Sequence, residues 1–132
     1  MKLQVGASAE IKKAFTDSDV KEFASLSLDD NPLHLDEAFA STTLFKKRIV
    51  HGFLVGSLIS AVLAKKVPGP GSIYLSQDMK FKKPVYLGDE VTARVTVESI
   101  RPDKGIFNLK TECLVDGVAV VEGSAVIMNA SC

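Results

Sequence analysis

The segment HGFLVGSLISAVLAKK, residues 51–66, constrains the fold more than any other. It contains no proline, and after His51 its first acidic or basic side chain is Lys65. A helix that is apolar nearly all round must be buried nearly all round, so the rest of the chain has to wrap it. VPGPGS, residues 67–72, breaks the helix, and strands follow. SIYLSQDMKFK (72–82), VTARVTVE (91–98), GIFNLKTECLV (105–115) and VAVVEGSAVIM (118–128) all read as extended. In the second of these, Val91, Ala93, Val95 and Val97 alternate with Thr92, Arg94, Thr96 and Glu98, the two-residue period of a half-buried strand. Asp116-Gly117 marks a two-residue hairpin between the last two. The order predicts an α+β protein, an antiparallel β-sheet wrapped around one long central hydrophobic helix.

The first fifty residues are shorter pieces. EIKKAF (10–15) reads as a strand, and Thr16, Asp17 and Ser18 offer capping oxygens to an amphipathic helix, DVKEFASL. SLDDNPLH (27–34) reads as a loop, because the residue before a proline avoids the helical conformation. Asp36 is placed to cap a helical turn, DEAFAS.

A chain of 132 residues suits a single domain spanning 1–132. Lys+Arg and Asp+Glu both number 16, so there is no basic excess of the kind that holds nucleic acid. No apolar run reaches the roughly 18 to 20 residues a membrane span needs. The first residues, MKLQVGASAE, lack the apolar stretch of a secretion signal. Cys113 and Cys132 have neither metal nor redox spacing, and a reducing cytoplasm is the expected compartment.

Helix first and meander after is the order of a hot-dog fold, and three local motifs make the resemblance specific. FASLSLDDNPLHLDEAFA (23–40) resembles the signature of the MaoC-like, (R)-specific enoyl-CoA hydratases, with Phe23, Ser27, Asp29, Asn31, Pro32, Leu33, His34 and Ala40 in register. Ile49-Val50-His51-Gly52 matches the family's second motif, at the start of the central helix, and KKPVYLGDEV (82–91) matches its third. The resemblance covers residues 10 to 128 or so. It departs at Leu28, where the family has glycine. If that position requires a positive φ, leucine is strained there, and the loop is expected to adapt.

The resemblance implies a catalytic pair, Asp29 and His34, holding one water molecule, with Gly52 as the third catalytic residue. Water adds to C3 of a trans-2-enoyl thioester and a proton goes to C2, which calls for a base, a proton source and fixed donors for the thioester oxygen. A five-residue spacing across a proline turn lets Asp29 and His34 aim at one water. Gly52 sits where the buried helix begins, and the first N–H groups of a helix lack intrahelical partners and carry its positive end. Glycine also lets a thioester approach the backbone.

Four further residues are candidates for substrate contact: Asn31, which also suits loop ordering through backbone hydrogen bonds; His51, which also suits packing or capping at the helix start; Ser60, two turns into the helix; and Lys82, whose Lys82-Lys83 pair could attract the phosphates of coenzyme A. Coenzyme A is part of the substrate, and no separate cofactor is expected. No ligand spacing supports a metal site from Asp29, His34 and Asp36. Two other readings compete. A thioesterase or an acyl-carrier-protein dehydratase on the same fold commonly carries a carboxylate on the central helix, and residues 53–64 contain none. A non-catalytic acyl-CoA-binding module would have no use for Asp29 and His34. A homodimer is expected, two sheets joining edge to edge and so removing an exposed strand edge, with the cleft near the interface.

Overall fold

The computed structural model describes residues 3–131; Met1, Lys2 and Cys132 lie outside the described residues. Its centre is the alternating strand. β1 (Ser8–Ala14), β2 (Ile73–Gln77), β3 (Lys80–Phe81), β4 (Glu90–Arg101), β5 (Ile106–Val115) and β6 (Val118–Met128) form one antiparallel sheet in the order β1-β4-β5-β6-β2, with β3 also on β6. Val91, Ala93, Val95 and Val97 of β4 are all buried, and the intervening Thr and Arg side chains are partly open to solvent. Leu109 and Cys113 of β5 and Ala125 and Ile127 of β6 extend the same buried face. Asp116 and Gly117 both have positive φ, 51° and 76°, and close the β5–β6 hairpin at the register Val115↔Val118.

Helices α1 (Asp17–Ser27), α2 (Pro32–Leu35), α3 (Glu37–Ser41) and α4 (Gly52–Lys65) complete the chain. α4 lays Val55, Leu58, Ile59, Val62 and Leu63 on the sheet. It is not buried all round as its sequence predicts. Phe53, Ser57, Ser60 and Ala64 form an exposed stripe at helical spacing, with Phe53 69% exposed. The sheet curls over one side of the helix only, and an apolar composition does not say how many sides a single chain can cover.

Two other expectations change in detail. Residues 72–82 are not one strand: β2 and β3 are separated where the Asp78 backbone crosses β6 at Gly123. A Cβ on Gly123 would lie 1.9 Å from the Asp78 carbonyl oxygen, so only glycine permits the crossing. The loop expected over 27–34 ends in the short α2, opened by Pro32 at the first helical position, where its missing N–H costs nothing. Thr16 caps α1 as expected: its hydroxyl accepts from Asp19 N–H at 3.2 Å, and the Asp19 carboxylate accepts from Thr16 N–H at 2.9 Å.

Candidate active site

The site begins where α1 ends. Ser27 Oγ donates to the Phe23 carbonyl at 2.7 Å and accepts from Asp29 N–H at 3.1 Å, so the chain turns sharply after the helix. The turn is made by Leu28 in the left-handed conformation, φ 68° and ψ 8°. The loop has not adapted to avoid this. Leucine occupies the glycine-type position, its side chain 84% exposed. Asn31 then caps α2, its side-chain oxygen accepting from Leu33 N–H at 3.0 Å. Asp36 is engaged in capping α3, accepting from Phe39 N–H at 3.1 Å. One turn of α2 swings His34 inward to 8% exposure.

His34 Nδ1 lies 2.8 Å from the Ile49 carbonyl. A carbonyl only accepts, so Nδ1 carries the proton, and in the neutral ring Nε2 keeps its lone pair. Burial lowers the pKa of His34 below the ordinary 6.5; the Ile49 carbonyl opposes this, the neighbouring His51 adds to it, and Asp29 acts against it. The neutral ring is the result. His51 is 1% exposed at the N-terminus of α4, and its side chain does not cap the helix. Its Nε2 donates instead to the Asp29 main-chain carbonyl at 2.9 Å, and its ring stacks on His34. Phe23 packs edge-on against the His51 ring, ring centroids 4.8 Å apart. His51 Nδ1 is buried with no hydrogen-bond partner among the described residues.

This packing brings a carboxylate oxygen of Asp29, a ring nitrogen of His34 and a ring nitrogen of His51 within 4.8 Å of one another. Two hydrogen bonds of about 2.8 Å through one water span up to about 5.6 Å, so one water can touch both Asp29 and His34. A metal suits the cluster poorly. Imidazole lone pairs lie in the ring planes, and stacked rings direct them side by side rather than toward a common tetrahedral centre.

Beside the cluster lies a cavity of about 540 Å³ lined by Asp29, Gly52, Phe53, Val55, Phe81 and Lys82 among others. The first hydrogen bond of α4 runs from Val55 N–H to the His51 carbonyl at 3.0 Å, so the amides of Gly52, Phe53 and Leu54 have no acceptor inside the helix. Gly52 is packed by an aromatic ring: a Cβ there would lie 2.7 Å from Phe81 Cε1. The space that glycine leaves is therefore filled by Phe81, which in turn stacks on Phe53 at 6.2 Å. Lys82 lines this cavity with its ammonium 3.4 Å from Glu122, and Lys83 stands next to it. Ser60 is elsewhere. It lines a neighbouring cavity of about 350 Å³ with Ser57, Tyr74 and Gln77, and Phe53 forms a wall of both. Among the candidates read from the sequence, Asp29, Gly52 and Lys82 thus share one cavity, His34 and His51 pack beside Asp29, Asn31 orders the loop, and Ser60 is separate within one chain. Nothing in the sequence singles out Phe53 and Phe81. Two aromatics flanking a glycine-started helix are ordinary core candidates until their exposure is seen.

A family profile described as "MaoC like domain" matches residues 3–119. An (R)-specific enoyl-CoA hydratase of Rhodospirillum rubrum is 48% identical over 126 residues, 96% of this chain and 88% of that protein. An (R)-specific enoyl-CoA hydratase of Aeromonas caviae is 52% identical over 126 residues, 95% of this chain and 94% of that protein. A solved structure described as the (R)-hydratase from A. caviae involved in PHA biosynthesis superposes with a TM-score of 0.94 at 50% identity, covering 96% of this chain and 97% of that one. With a hot-dog sheet and helix, the three motifs in register and a profile match over most of its length, this chain belongs to the MaoC-like domain family.

Proposed function

We propose that the chain is a hydro-lyase that reversibly adds water to a trans-2-enoyl-CoA, giving the (R)-3-hydroxyacyl-CoA. The observation that carries this reading is a carboxylate oxygen of Asp29 and a ring nitrogen of His34 within 4.8 Å of each other, beside a cavity that also exposes Gly52. One water bridges Asp29 and His34. As its oxygen bonds to C3, the pair takes a proton from it and returns one to C2, so the residues end as they began. Electron density displaced from the double bond reaches the thioester oxygen, which lies against the Gly52 amide at the positive end of α4. A neutral His34 with a free Nε2 lone pair suits this role, since a protonated ring could not accept a hydrogen bond from water. The absence of a carboxylate from residues 53–64 disfavours a thioesterase or acyl-carrier-protein dehydratase that relies on one there.

In the same reading, a second copy of the chain covers the exposed stripe of α4 and the apolar edge of β2, where Ile73, Tyr74 and Leu75 are all exposed. The cleft then lies near the interface, and the Ser60 cavity becomes contiguous with it. The ammonium groups of Lys82 and Lys83 attract the phosphates of coenzyme A, and no separate cofactor takes part. No helix is long and apolar enough to cross a membrane among the described residues. A cytoplasmic setting belongs to the same reading, since Cys113 is a free thiol rather than half of a disulfide; burial pushes it up to about 12, and it is inert. The test is spectrophotometric hydration of crotonyl-CoA and octenoyl-CoA with chiral analysis of the product. An R product is expected. An S product, or no hydration, overturns the proposal, and a fully active monomer in sedimentation overturns the dimer.

A further inference from the structure

Arg48 joins three segments around His34. Its Nε donates to the His34 main-chain carbonyl at 2.7 Å, and its Nη2 meets the Asp17 carboxylate at 2.7 Å. Asp17 is in the first turn of α1, 31 residues away in sequence. The guanidinium side chain is only 15% exposed, so its bonds are largely shielded from water. The next residue, Ile49, holds the other end of His34 by accepting from Nδ1 at 2.8 Å. Two consecutive residues therefore grip the histidine by its backbone and by its ring.

The segment that does the gripping is itself anchored. Ile49 bridges to Tyr86, and Val50 N–H donates to the Val85 carbonyl at 2.7 Å. The loop 28–36, by contrast, is fixed mainly by short-range bonds to residues no more than three positions away. Its lateral ties reach the rest of the molecule through His34, through the His51 bond to the Asp29 carbonyl, and through Arg48. A bidentate cation suits this place because a planar guanidinium satisfies a carbonyl and a carboxylate at once with fixed geometry.

We propose that Arg48 is a positioning residue for hydration, acting through His34: it holds the His34 backbone against the anchored segment 48–50, so that the imidazole keeps its bond to Ile49 and its free nitrogen stays aimed at the water shared with Asp29. This inference rests on the hydratase reading. Misplacement of a catalytic group by about 1 Å lowers the rate by about a hundredfold without needing to weaken substrate binding. Asp17 is a weaker contributor, because its carboxylate is about half exposed and is shared with Lys21 at 2.9 Å.

The test is steady-state hydration of crotonyl-CoA by the full chain and by Arg48→Ala, Arg48→Lys, Asp17→Asn and the Asp17→Asn/Arg48→Ala double variant, with circular dichroism to confirm folding. For Arg48→Ala, kcat is expected to fall about ten- to a hundredfold with KM unchanged. Arg48→Lys, which reaches one partner but not both, falls between it and the parent. Adding Asp17→Asn to Arg48→Ala should cost nothing further, because Asp17 acts only through the arginine. If Arg48→Ala does not fold, the loss of kcat at constant KM in Arg48→Lys carries the test. An unchanged kcat in the Arg48 variants, a loss confined to KM, or additive losses in the double variant overturns the inference. A parent chain that hydrates no enoyl-CoA overturns the hydratase reading instead, so the two failures are distinct.

Discussion

The rings of His34 and His51 stack with centroids 3.9 Å apart and an interplanar angle of 28°, although 17 residues separate them. Through this contact the loop that carries Asp29 and His34 is seated on the first residue before α4, the helix whose N-terminus faces the cavity. His51 also bonds the Asp29 carbonyl, so it touches both members of the pair while being buried away from solvent. Replacing His51 by Phe keeps a flat ring for the stack and removes the donor. The Asp29 carbonyl then exchanges this bond for water, at a net cost of about 0.5–1.5 kcal/mol. Chemical denaturation should record that loss together with a reduced kcat. Full stability with full activity would show that the bond does nothing.

His34 also gives the chain a pH dependence. Its pKa in the folded state is lowered below 6.5, chiefly by burial, so the unfolded chain takes up that proton first as pH falls. His34's contribution to stability is therefore complete above pH 6.5 and declines as pH falls from there toward the folded-state value. His51, Asp29 and the Ile49 carbonyl are the groups facing the ring. Urea midpoints measured across mildly acidic pH should fall for the parent and fall less for His34→Gln. Parallel curves for the two proteins would contradict this.

Leu28 holds a left-handed conformation, φ 68°, with an exposed side chain that packs on little. For a residue bearing a Cβ this costs about 1–2 kcal/mol, part of which glycine returns as lost chain entropy. Leu28→Gly should raise stability by about 0.5–1 kcal/mol, read as a higher melting temperature with hydration unchanged. A lower melting temperature would mean that the leucine side chain makes contacts worth more than its strain.

At the helix start, Gly52→Ala places a Cβ 2.7 Å from Phe81 Cε1. The Phe81 ring must swing outward, into the cavity mouth shared with Phe53. The expected result is a loss in kcat/KM of about tenfold or more with the fold retained, since the ring is half-exposed and free to move. Pairing it with Phe81→Leu should recover part of the loss. An active Gly52→Ala would indicate that the thioester does not approach the helix there.

Much of this was legible in the residues. The Val91–Val97 alternation, the Asp116-Gly117 hairpin and the Thr16 cap are local patterns whose geometry follows from near neighbours, and each appears where its spacing predicts. Asp29 and His34 are likewise close in sequence and meet across the Asn31-Pro32 turn. What could not be read depends on contacts between distant segments. The stack of His51 on His34, the hold of Arg48 on the His34 carbonyl and the passage of Asp78 over Gly123 have no short-range signature. The exposed stripe of α4 is illegible for a related reason: apolar composition reports that a surface avoids water, without naming what covers it.

Whether Asp29 and His34 act as one unit on one water is decided by a double-mutant cycle on kcat for crotonyl-CoA hydration. Asp29→Ala and His34→Ala should each lower kcat by about a thousandfold or more, and the double variant should lose no more than the worse of the two, as residues acting together do. Losses that multiply in the double variant, or full activity in either single one, would show that the two side chains do not share a water.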